Sequence, residues 1–239
     1  MSRIAMAALA LALAAHPADA DPMRLRQQVR DWRMAHEKEV VGELAGLLAL
    51  RNVVVDRADI QRNADHLLEM LRRRGFQARL LTAGDSPPAV YGELPAPGAK
   101  HTVVFYAHYD GQPADPADWG SDPWKPVLRT GAPGPDTKDV DLASAPTPLN
   151  PEWRLYARSA SDDKGPIVAM LAALDALKAA GVKPSVNIKM FLEGEEEDGS
   201  EHLTSILEEH RETLKADAWI LADGPVHQTR EMQVVFGAR

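Results

Sequence analysis

The stretch Pro184-Ser-Val-Asn-Ile-Lys-Met-Phe-Leu-Glu-Gly-Glu-Glu-Glu-Asp-Gly-Ser200 decides the fold. Through Leu192 it is β-branched and apolar and reads as a buried strand. At the strand's end Glu193, Glu195, Glu196, Glu197 and Asp198 fall almost consecutively. Carboxylates packed that closely repel, and one binds a proton unless a cation or bulk water intervenes. Taken alone, such a run is a solvated acidic loop. Its position argues for more, because open α/β sheets place their ligands beyond the carboxyl ends of the strands. We read the run as half of a metal site.

Three further clusters have the same placement. His101 to Ala107, rich in Val, Phe and Tyr, reads as a strand that ends in His108-Tyr-Asp110-Gly111. Leu155-Tyr-Ala leads into Ser159-Ala-Ser-Asp162-Asp163-Lys-Gly-Pro166. That cluster opens a helix whose Ile167, Met170, Leu171, Leu174 and Leu177 form one stripe, ended by Gly181. Asp163 is its expected N-cap, and Pro166 is tolerated in a first turn whose amides lack partners. Ala218 to Leu221 is another apolar strand, ending at Asp223-Gly224-Pro225.

The remaining chain fills in around these points. Helical spacing runs from Asp21 to about Leu50, and a second helix, capped by Asp56 or Asp59, ends at Gly75. Phe76 to Leu81 and Ala89 to Leu94 read as strands separated by a Gly84-Asp-Ser-Pro-Pro turn. Residues 112–153, rich in Pro, Asp, Gly and Ala, read as a long irregular loop. A helix is expected from about Glu201 to Lys215, and Gln233-Val-Val-Phe-Gly reads as a strand cut short. Alternating strands and helices predict an α/β domain with a largely parallel sheet flanked by helices. Such a sheet lines up all four clusters along one rim.

Composition narrows the chemistry. The 239 residues suit one domain, and a net charge of −8 with no basic stripe excludes a nucleic-acid partner. There is no cysteine, so any metal is held by His, Asp and Glu. Met1-Ser-Arg, an apolar run from Ile4 to Ala15 and Ala18-Asp19-Ala20 have the layout of a secretory signal peptide. The expected domain boundaries are therefore 1–20, cleaved after Ala20, and 21–239. The mature chain is expected to be secreted or periplasmic.

The clusters suit metal-assisted hydrolysis. A metal-bound imidazole usually gives its other N–H to a carboxylate, and His108 and Asp110, two apart in a strand, share a face. One aspartate of the Asp162-Asp163 pair could bridge two cations, which in two-metal sites lie about 3.5–4 Å apart. Adjacent Glu196 and Glu197 permit a division of labour, one on metal and one as general base on water.

His108-Tyr-Asp110, Ser161-Asp-Asp-Lys-Gly-Pro166, Glu193-Gly-Glu-Glu-Glu-Asp-Gly-Ser200 and Asp223 together resemble the successive motifs of the M20 metallopeptidase family. The carnosinase-like dipeptidase and carboxypeptidase branch is the nearest in pattern, and the motifs run in order through the mature chain. The resemblance implies a zinc-exopeptidase-like catalytic domain holding two zinc ions, with manganese or cobalt as substitutes. It implies that His108 and Asp223 ligate one ion, Asp162 bridges both and Glu197 ligates the second. Glu196 is then the general base and Asp110 orients His108. A cis peptide between Asp162 and Asp163 is also implied.

The family pattern departs here in two places. Relatives carry Gly-Arg-Gly where this chain has Ala157-Arg158-Ser159. Relatives also continue past the point matching Phe236-Gly237, into a lid that dimerises and on to a last His ligand. The chain thus resembles the N-terminal part of the catalytic domain, incomplete before the lid. The implied activity is hydrolysis of a dipeptide or a C-terminal residue, with a small peptide as partner and a homodimer as the full-length assembly. Hydrolysis of N-acyl amino acids on the same two-metal site is one alternative. A metal-binding fragment without turnover is another.

Overall fold

The computed structural model describes residues 21–224 and residue 229. The signal-peptide reading, Pro225 and the Gln233–Gly237 strand lie outside them. Helix α1 (Pro22–Leu48) starts where the Asp21 carboxylate accepts the Met23 amide, with Pro22 at the first position. Helix α2 (Arg57–Arg73) is capped by Asp56, which accepts the amides of Ala58 and Asp59. The chain leaves α2 through Gly75, whose φ of +91° is left-handed.

Strands β1 (Gln77–Leu81), β2 (Ala89–Leu94) and β3 (Thr102–His108) follow. After them come three short strands, β4 (Val127–Arg129), β5 (Asp139–Val140) and β6 (Arg154–Tyr156). Helix α3 (Lys164–Ala179) precedes β7 (Asn187–Glu193). Helices α4 (Leu203–Glu209) and α5 (Arg211–Leu214) then lead to β8 (Ala218–Leu221).

The main sheet has the order β1-β2-β7-β3-β8. β3 runs parallel to both β7 and β8, whereas β2 is antiparallel to β1 and β7. The connections dictate this mixture. β1 and β2 are joined by a short turn, which forces an antiparallel pair, while parallel neighbours need a crossover. α3 lies in the crossover from β3 to β7, and α4 and α5 lie in that from β7 to β8. The parallel part is thus the three strands whose ends carry the acidic and imidazole clusters.

Side chains alternate across the sheet with period two. Val90, Ala107, Ile188, Met190 and Leu192 face Leu47, Leu67, Leu71, Ile167 and Leu171 of α1, α2 and α3. Ala89, Tyr91, Val104 and Phe191 face the opposite way, onto Ile206 and Leu214 of α4 and α5. The sheet is therefore covered by helices on both faces.

Two sequence expectations need correction. Residues 112–153 are not wholly irregular: β4 and β5, with β6, form a second sheet of order β5-β4-β6. Strands of two or three residues bury too little for a hydrophobic alternation to show in the sequence. The single helix expected over 201–215 is two, broken at His210 (φ −108°, ψ 21°), whose Nε2 lies 3.0 Å from the Thr82 carbonyl. Lys189 Nζ of β7 donates to the carbonyls of Thr213 and Lys215, ending α5 against the sheet.

Candidate metal centre

Parallel register builds the site. His108 pairs with Glu193 across β3 and β7, and Tyr106 pairs with Leu221 across β3 and β8. The Ala222 amide extends the latter ladder by donating to the Tyr106 carbonyl, which brings Asp223 up beside His108. One ligand-type atom each from His108, Glu196 and Asp223 lie within 4.8 Å of one another. The N-terminus of α3 adds the fourth side: His108 Nε2 is 2.8 Å from Asp162 Oδ1. The peptide between Asp162 and Asp163 is cis, as the family resemblance implies.

Each expected residue can now be placed. His108 and Asp110 are fully buried, and Asp110 Oδ1 lies 3.3 Å from His108 Nδ1, a charge contact rather than an aligned hydrogen bond. Asp110 has a second task that its motif does not announce. Its Oδ1 accepts the Glu196 amide at 3.1 Å and its Oδ2 the Glu197 amide at 2.9 Å. The same carboxylate therefore holds both the imidazole and the acidic turn.

Glu196 points at the imidazole, its Oε2 3.9 Å from His108 Nε2. Glu197, expected as a ligand, turns away: its Oε2 accepts from Gln112 Nε2 at 2.8 Å. Gln112 also donates to the Glu197 carbonyl at 3.0 Å, a contact that no motif announces. Asp163 stands at the N-cap position of α3, but its side chain makes no capping bond. Its Oδ2 accepts the His108 amide instead, at 3.2 Å. The cap expectation is corrected: the cluster recruits that carboxylate because a buried amide at the end of β3 needs an acceptor.

The electrostatics are those of an acid-rich cluster around one buried imidazole. Burial disfavours the charged imidazole of His108, but Asp110, Asp162 and Asp163 outweigh it and raise its pKa to about 10. Burial raises the Asp163 carboxyl to about 7, against the pull of His108. Burial likewise raises Glu196, with Asp223, Glu197 and Asp110 adding to the rise and His108 opposing it. Protons thus take up repulsion that a divalent cation would otherwise neutralise. The donors, one imidazole and several carboxylates, fit zinc and also manganese or cobalt.

Comparison with known proteins identifies the family. Residues 104–236, more than half of the chain, match the sequence profile of peptidase family M20/M25/M40. The human Beta-Ala-His dipeptidase is 28% identical over 236 residues, which cover 91% of this chain and 42% of that protein. The Cys-Gly metallodipeptidase of Schizosaccharomyces pombe is 33% identical over 156 residues, 64% of this chain and 28% of its own. Among solved structures, an M20 family metallo-carboxypeptidase from Sulfolobus solfataricus superposes with a TM-score of 0.62 at 31% identity. It covers 78% of this chain and 37% of that one. The chain thus spans less than half the length of these relatives.

Proposed function

Because the chain belongs to peptidase family M20/M25/M40, we propose that it carries the metal-holding part of a dipeptidase. The observation that carries this is the convergence of His108, Glu196 and Asp223 within 4.8 Å, with Asp162 against the same imidazole nitrogen. Two cations are proposed, zinc or in its place manganese or cobalt. His108 and Asp223 would hold one, Asp162 would bridge, and Glu197, released from Gln112, would hold the second. Bound cations supply a polarised scissile carbonyl and a more acidic water.

The chain's own groups do the proton work. Glu196 sits over the pocket, with its amide anchored by Asp110. It accepts a proton from the attacking water and delivers it to the leaving amine nitrogen, while the hydroxyl adds to the carbonyl carbon. The C–N bond breaks and the products are an amine and a carboxylic acid.

The dipeptidase assignment is tested by incubating the cation-loaded chain with β-alanyl-histidine, cysteinyl-glycine and N-acetyl amino acids, and measuring the amine released. Faster release from the dipeptides supports it. Release from N-acetyl amino acids alone would move the assignment to amide hydrolysis, and cation binding without any release to a non-catalytic piece. We further propose export to the periplasm. Met1–Ala20 support export, and N-terminal sequencing of exported protein starting at Asp21 would test it.

A further inference from the structure

The geometry points to Asn52 as a positioning residue that fixes the His108–Gly111 turn and the Ser159–Asp163 turn relative to each other from behind. The inference rests on reading those turns as a cation site. They arrive from distant parts of the chain, and two contacts join them directly. The His108 amide donates to Asp163 Oδ2, and His108 Nε2 meets Asp162 Oδ1. The second contact uses the atoms that a cation takes, so binding replaces it. That leaves the His108 amide–Asp163 bond as the one direct tie between the turns, at a length of 3.2 Å.

Asn52 is 1% exposed, just past the end of α1, and it bonds to both turns. Its carbonyl accepts the Gly111 amide at 2.9 Å. Its Nδ2 donates to the Tyr109 carbonyl at 2.8 Å and to Ser159 Oγ at 2.9 Å. The fit is close: a Cβ on Gly111 would lie 2.4 Å from Ser159 Oγ and 2.9 Å from Asn52 Nδ2. Ser159 has φ of +61°, a conformation uncommon for a residue other than glycine, and its hydroxyl is held there by Asn52.

The segment that carries Asn52 is itself anchored. Lys164 Nζ, wholly buried at the start of α3, donates to the carbonyls of Leu47 and Leu50, each at 2.9 Å. Asn63 Nδ2 of α2 donates to the Arg51 carbonyl. Residues 47–52 therefore form a bracket fixed to α2 and α3 and gripping both turns, with no contact of its own to the proposed ligand oxygens. Groups that support ligands in this way commonly govern metal affinity by ten- to a hundredfold.

The test is Asn52→Asp in the full chain, which keeps shape and loses the bond donated to the Tyr109 carbonyl, leaving Ser159 only to donate to the new carboxylate. Asn187→Ala, which loses bonds to Ala96 and Thr102 at the far end of the sheet, is the structural control. Cobalt(II) titration followed by its visible absorption is the first readout. We expect Asn52→Asp to bind at least tenfold more weakly, with an altered spectrum, and Asn187→Ala to bind like the parent. Equal cobalt affinity in folded Asn52→Asp would overturn the inference. If Asn52→Asp does not fold, Ser159→Gly removes one arm and accepts the positive φ. Weaker cobalt binding there supports the bracket, and unchanged binding overturns it. If the parent binds no cobalt, the metal reading fails, and hydrogen exchange decides the bracket alone. Faster exchange of the Gly111 and Lys164 amides in Asn52→Asp but not Asn187→Ala sustains it, and equal exchange ends it.

Discussion

Asp110 accepts the backbone amide of Glu197 at 2.9 Å while its other oxygen lies 3.3 Å from the His108 ring. The end of β3 and the acidic turn after β7 are therefore set by one buried carboxylate. Asp110→Asn leaves a single accepting oxygen for the two amides of Glu196 and Glu197. We expect cation affinity to fall by about ten- to a hundredfold. Exchange of those two amides should also quicken, as read by hydrogen-exchange mass spectrometry.

Glu196 and Glu197 should separate by phenotype. Glu196→Gln is expected to keep the bound cations and lose about a hundredfold or more of any hydrolysis. Metal content by elemental analysis, measured beside the rate, checks both halves. Loss of cation in Glu196→Gln would exchange the roles of the two residues.

His108 gives the pH dependence. Its folded pKa of about 10 lies above the ordinary 6.5, so its contribution to folding is fully present below 6.5 and is lost as pH rises through about 10. A cation must displace that proton. Affinity should rise with pH from neutrality towards pH 10, with at least the His108 proton released per chain. Titration calorimetry in two buffers of different ionisation enthalpy counts the proton. The thermal midpoint of the metal-free parent, compared with His108→Gln, should lose its advantage across the same range.

Gly194 separates the buried end of β7 from the acidic turn. A Cβ there would lie 2.5 Å from Tyr109 Oη, 2.7 Å from its Cζ and 3.1 Å from the Pro88 carbonyl. Gly194→Ala is expected to cost about 1–3 kcal/mol by overpacking, read from urea unfolding.

Much of this was legible because burial leaves a pattern. β3 and β7 are largely apolar, mostly buried runs ending in His108 and Glu193, so those strands follow from the residues, and β8, though exposed, is an apolar run before Asp223. The turn between β1 and β2 marks two strands, but only the observed pairing shows how far antiparallel neighbours share the sheet. Asn52, Gln112 and the second role of Asp110 left no trace, because a lone amide or carboxylate acts through partners more than fifty positions away. Asp163 was legible as an acid before a helix but not as the acceptor for His108, since capping and site-building use the same residue type.

The central claim is that His108, Asp162 and Asp223 meet around a cation, with Glu196 beside it. Anomalous diffraction from crystals of the chain grown with zinc measures this most directly. A peak is expected within about 2.0–2.2 Å of His108 Nε2 and of Asp162 and Asp223 carboxylate oxygens. Zinc bound elsewhere, with the direct contact between His108 and Asp162 intact, would contradict it.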